Sequence, residues 1–152
     1  MGGKHLARWA IPALLAVVTA CGSPVAPTPA GPGPDSVPGS VNAELGADFT
    51  LAAGATAHLD DDRLTVLFRG VSNDSRCPEE PDIRCVWEGD ATIALTVTSN
   101  GTAAEHDLKV QPPGNELALD GYRIHLVALR PGGSTQTIPQ SEYRVDLRVS
   151  RT

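Results

Sequence analysis

The chain has 152 residues, with 12 Lys and Arg against 18 Asp and Glu, and a net charge of −6. It therefore has no basic field with which to hold nucleic acid or an anionic lipid surface by charge. Only two Phe, two Tyr and two Trp are present, so any core has to be built mainly from Val, Leu, Ile and Ala.

Residues 1–20, MGGKHLARWAIPALLAVVTA, have the layout of an export signal. Lys4 and Arg8 supply a positive start, Trp9 to Val18 an uncharged apolar stretch, and Thr19 and Ala20 a small-residue approach to Cys21. About a dozen apolar residues fall short of the roughly twenty that span a hydrocarbon core. Val18-Thr19-Ala20-Cys21 resembles the lipobox of bacterial lipoproteins. The resemblance implies cleavage after Ala20 and acylation of the Cys21 thiol. Each buried methylene contributes about 0.8 kcal/mol and one chain binds only reversibly, so two or more chains on Cys21 would hold the protein at a membrane. The expected location is thus the extracytoplasmic side of the envelope. Gly22 rather than Asp follows the Cys, which by analogy favours the outer membrane in a Gram-negative cell. The alternative is ordinary signal cleavage that leaves Cys21 as a free thiol or half of a disulfide. With three Cys in the chain, pairing of Cys77 with Cys85 leaves Cys21 as the odd one, and lipidation gives it a role. Loss of Lys4 and Arg8 with the signal removes two cations and no acid, so the net charge of −6 becomes −8.

Residues 21–41 read CGSPVAPTPAGPGPDSVPGSV, with prolines at 24, 27, 29, 32, 34 and 38 and no apolar period. Such a tract is a disordered or extended tether rather than a folded element. At about 3.1 Å per residue it would reach on the order of 60 Å from the lipid.

The remainder, 42–152, has the length of one domain, and its periodicity is that of strands. In DATIALTVTS, Ala91, Ile93, Leu95 and Val97 fall on one face and Thr92, Thr96 and Thr98 on the other. Tyr143, Val145, Leu147 and Val149 alternate with polar residues in the same way, as do Leu64, Val66 and Phe68, and Tyr122, Ile124 and Leu126. A period of two predicts half-buried strands. Asn100-Gly101 and Asp120-Gly121 suit tight hairpins, while Asp60-Asp61-Asp62 and Asn73-Asp74-Ser75 read as turns. About eight strands are expected, at 48–53, 55–59, 63–71, 84–88, 91–99, 103–110, 116–130 (folded at Asp120-Gly121) and 142–150. They predict an all-β fold, an antiparallel sandwich of immunoglobulin-like form, with a small barrel as the other closure.

Cys77 and Cys85 enclose Pro78-Glu79-Glu80-Pro81-Asp82-Ile83-Arg84. In an exported domain these two Cys are expected to pair as a staple. Trp87 shares strand parity with Cys85, which predicts that it sits over the sulfurs. The stretch Asp74-Ser75-Arg76-Cys77-Pro78, the short loop, and then Cys85-Val86-Trp87 with Gly89 resembles a family of small bacterial lipoproteins, over about Thr50 to Val149. Here Glu88 stands where many relatives have Ala. The resemblance implies a β-rich exported domain and carries over no activity and no functional residue.

Three sharper readings of the chain compete with the staple. The ring is similar in size to reactive loops of small serine-protease inhibitors, though its only basic residue, Arg84, abuts the second Cys. Glu79, Glu80 and Asp82, or Asp60, Asp61 and Asp62, offer oxygens for calcium, but neither set has the spacing of a calcium loop. His58, His106 and His125 lie on separate expected strands, with His125 exposed and His106 partly buried. No nucleophile elbow, phosphate loop or zinc spacing accompanies them. No cofactor is expected. The chain therefore reads as a membrane-tethered, non-catalytic interaction domain whose partner is an envelope protein or a glycan. An envelope hydrolase or metal-dependent enzyme, and a protease-inhibitor-like or protective module using the Cys77–Cys85 loop, are the alternatives.

Overall fold

A computed structural model describes residues 39–152. Ala20, Cys21, the signal segment and nearly all of the expected tether lie outside the described residues.

Nine strands follow in chain order: β1 Ser40–Asn42, β2 Asp48–Ala52, β3 Thr56–Leu59, β4 Leu64–Asp74, β5 Ala91–Ser99, β6 Thr102–Lys109, β7 Glu116–Leu119, β8 Tyr122–Arg130 and β9 Arg144–Arg151. They form two sheets, ordered β1-β3-β4-β5-β6 and β2-β9-β8-β7. Every pairing is antiparallel except β1 with β3. Of the two closures expected, the chain takes the sandwich, and both sheets stay open.

The alternation seen in the sequence is the burial pattern of the sheets. Ala91, Ile93, Leu95 and Val97 of β5 are buried, and so are Val145, Leu147 and Val149 of β9, with their intervening residues half-buried or exposed. Phe68 and Leu64 from one sheet join Leu51 and Ile124 from the other in a single core. Full burial of a side chain of this size stabilises by about 1.5–3 kcal/mol. The hairpins turn where expected: Asn100 and Gly101 have φ of 50° and 80°, Asp120 and Gly121 of 48° and 80°. Both residues of each pair are left-handed, which matches the twist of the flanking strands. Asp60, Asp61 and Asp62 also turn the chain, with φ of 53°, 53° and 63°.

Four expectations are corrected. Residues 84–88 are not a strand: between β4 and β5 the chain leaves the sheet from Ser75 to Asp90. Asn73 and Asp74 are not a turn but the end of β4, which reaches Asp74 through bulges at Phe68/Gly70 and Val71/Asn73. Residues 40 and 41, assigned to the tether, form β1 with Asn42, because Ser40, Val41 and Asn42 find a free edge at Thr56, Ala57 and His58. Finally, His125 is half-buried rather than exposed, its ring nitrogen Nε2 lying 3.0 Å from the Asn115 amide.

Candidate functional site

Two long connections meet at one end of the sandwich, Ser75–Asp90 between β4 and β5 and Pro131–Tyr143 between β8 and β9. The first leaves the sheet by degrees. Ser75 N–H donates to the Asp90 carbonyl at 2.8 Å and Cys77 N–H to the Glu88 carbonyl at 2.7 Å, so the two arms stay together beyond the last rung of the ladder. Between them Gly89 has φ of +69°, and a Cβ there would fall on the Ser75 carbonyl. Only glycine fits that crossing.

The base of the loop is tied to the other sheet by Arg76. Its Nε and Nη2 donate to the two oxygens of Asp74 at 2.9 and 2.7 Å, while Nη1 reaches the Leu129 carbonyl and Nη2 the Pro131 carbonyl, both at 2.8 Å. Tyr143, itself buried, donates its hydroxyl to Asp74 at 3.0 Å. The Arg76 and Asp74 side chains are only 11% and 14% exposed. Burial pushes the Asp74 carboxyl up, but the bonds from Arg76 and Tyr143 outweigh it and hold its pKa below the ordinary value.

Further out, Glu79 N–H donates to the Gly133 carbonyl at 2.9 Å, and one oxygen of Glu80 accepts from Thr135 N–H, Thr135 Oγ1 and Ser134 Oγ at 2.9–3.0 Å. These bonds, the Thr135 amide foremost, keep the Glu80 carboxyl below its usual range. Cys77 and Cys85 are bridged, their Cα atoms 5.9 Å apart, as the sequence predicts. Gln140 completes the support: its amide donates to the Val71 carbonyl at 2.8 Å and accepts from Val71 N–H at 2.9 Å, closing the β4 edge beyond the end of β3. A polar cleft of about 390 Å³ runs beside it, between Ser72–Asp74 and Ser134–Thr137.

What this scaffold presents is the opposite of what parity predicts. Trp87 does not cover the disulfide. It is 84% exposed, Val86 beside it is fully exposed, and every residue from Pro81 to Glu88 faces solvent. A groove of about 960 Å³ lies against them, lined by the apolar Pro78, Cys85, Val86 and Trp87 and by the polar Arg76, Glu88, Asp90 and Gln111.

The expected calcium ligands are not brought together. Glu80 is held by Ser134 and Thr135, and Asp60 accepts from the Tyr122 hydroxyl and from Arg151. The Tyr122 bond, the largest influence, lowers the Asp60 pKa and raises that of the phenol. Asp62 bonds His58 Nδ1 at 2.6 Å. Among the described residues no three His, Cys, Asp or Glu side chains gather. The histidines stay apart as well: His58 goes to Asp62, His125 to Asn115, and His106 Nε2 is buried without a partner.

Arg76 and Gln140 have no role in the sequence reading, which takes Glu80 only as an oxygen for calcium and Tyr143 only as a strand residue. The signal that could have found the first is the Asp-x-Arg spacing at a strand end, where two side chains on one face can close a fork. No family model matches the chain, and no curated protein or solved structure is similar to it.

Proposed function

We propose that this is a lipid-anchored envelope protein whose sandwich is a non-catalytic interaction domain, and that its contact surface is the disulfide-ringed end carrying Val86 and Trp87. One observation carries the reading: a nearly fully exposed Trp on a loop restrained by a disulfide, a bidentate ion pair and the Glu80 bonds. Large aromatic side chains standing in solvent on a fixed support are the usual anchors of contact sites. A loop already fixed loses little freedom when it binds. The anchor rests on the Val18–Cys21 motif, which supports the membrane side of the reading.

The test is a photo-crosslinking side chain placed at Val86 in the full chain, in its own envelope, with Ala103 on the exposed edge strand β6 as control. A discrete adduct from position 86 and none from 103 is expected. Equal or absent crosslinking at both positions would refute the contact surface. The inhibitor alternative keeps one observation, the exposure of Arg84 beside Cys85. It requires stoichiometric inhibition of trypsin, which the interaction reading does not.

A further inference from the structure

We infer that the group seated on Trp87 is a cation, a Lys or Arg side chain of a basic protein segment; the inference rests on the ring being the contact surface. The groove has apolar lining, and its charges do not cancel. Arg76 is neutralised by Asp74, and Glu80 is consumed by Ser134 and Thr135. Of the charged residues that line the groove, Glu88 and Asp90 are left, both acids and neither in an ion pair within the described residues. Glu88 makes one long contact of 3.4 Å with the Gln111 amide, and Asp90 uses one oxygen, on the amides of Ala91 and Gln111. Carboxylate oxygens with no partner among the described residues thus line the same groove as an exposed indole.

Elsewhere on the sandwich Asp48 pairs with Arg148, Asp146 with Arg130, Asp60 with Arg151 and Glu105 with Arg69. Trp is the best of the aromatic faces for a cation, and an ammonium or guanidinium held there also meets carboxylates at the rim. A neutral glycan would gain nothing from the surplus charge, and an anionic bilayer would be repelled by it. A basic segment answers both kinds of lining at once, its stem on Val86 and Trp87 and its charge toward Glu88 and Asp90.

Trp9 and Trp87 are the only tryptophans, so the full chain carrying Trp9→Phe has an emission that reports on the groove alone. In non-ionic detergent it is titrated with penta-arginine, penta-lysine, a neutral chitin oligosaccharide and phosphatidylglycerol vesicles. The expected result is a saturable change in Trp87 emission with the two cationic peptides only. Affinity should weaken at least threefold between about 50 and about 300 mM salt, as exposed charges are screened. Glu88→Gln, at an exposed position on the groove, should weaken it about threefold. Saturable binding of the oligosaccharide or vesicles in place of the peptides would overturn the cation. No response to any probe, with the position-86 adduct still forming, would also overturn it while leaving the contact surface standing. Loss of that adduct would remove both.

Discussion

Arg76→Met is the sharpest test of how the ring is held. The substitution keeps most of the aliphatic bulk and removes four side-chain hydrogen bonds, two to Asp74 and one each to the Leu129 and Pro131 carbonyls. The larger effect is on what stays behind. Asp74, 14% exposed, keeps only the Tyr143 hydroxyl and the residue-76 backbone N–H as donors. Removing one partner of a buried ion pair costs about 3–5 kcal/mol. Both groups here lie near the rim, where water can partly replace the lost donors, so the low end applies, about 3 kcal/mol. Against a total stability of about 5–15 kcal/mol that is a large fraction. With a urea slope of about 1.5 kcal/mol/M, the unfolding midpoint should fall by about 2 M.

Arg84→Met is the control. It alters the same residue type in the same loop, exposed and in no ion pair, and should shift stability by less than about 0.5 kcal/mol. A shift below about 0.5 M for Arg76→Met, or equal shifts for the two variants, would refute the anchoring role. The pH dependence adds a second readout. Because the Asp74 pKa is depressed on folding, its contribution is complete above the ordinary value of 3.8 and is lost as pH falls through the lower folded value. Without Arg76 the burial of Asp74 is opposed only by its remaining donors and its carboxyl rises, so the gap between wild type and Arg76→Met should be widest at neutral pH and narrow as pH falls toward and through the ordinary value.

Gly89→Ala and Gly101→Ala separate backbone strain from collision: both glycines have positive φ, but a Cβ at 101 meets nothing within 4 Å while one at 89 meets the Ser75 carbonyl. Urea unfolding should show about 1 kcal/mol lost at 101 and about 3 kcal/mol or more at 89. Replacing Cys77 and Cys85 by Ser should cost about 2.5 kcal/mol, the chain-entropy value for so short a ring, in the same assay. Cys21→Ser should move the protein from the membrane fraction to the soluble fraction, and unchanged partitioning into detergent would remove the anchor.

The parts of the fold that could be read from the sequence are those in which each strand has one wet face. In β5 and β9 every second residue enters the core, so composition and geometry carry the same period. The reading breaks where pairing is decided by distant chain. β1 is three residues, SVN, with no period to show, and it exists because β3 has an open edge. Val86-Trp87 has the composition of a strand but no neighbour to pair with. Gly89 turns the chain, and the ladder thins to the single bonds at Ser75 and Cys77. The knot at Asp74 was illegible for a related reason. Arg76 meets carbonyls 53 and 55 residues away, and Tyr143 meets Asp74 across 69, separations at which no local pattern survives.

The position of Trp87 then becomes a question of energy rather than of pattern. A Trp side chain can remove up to about 250 Å² from water, worth on the order of 5 kcal/mol, and at 84% exposed this one realises little of it. In a domain with few aromatic residues, that is area the fold could have used. The surrounding bonds do not work toward covering it. Arg76 ties the loop base to β8, Glu80 ties the ring to Ser134 and Thr135, and the disulfide closes the ring, and with all three in place the indole stays exposed. Each restraint lowers the entropy the loop would lose in a complex and leaves the apolar area uncommitted. A loop loosened at any one of the three should therefore bind its partner more weakly even where Trp87 itself is untouched, and the loss should grow with the freedom released.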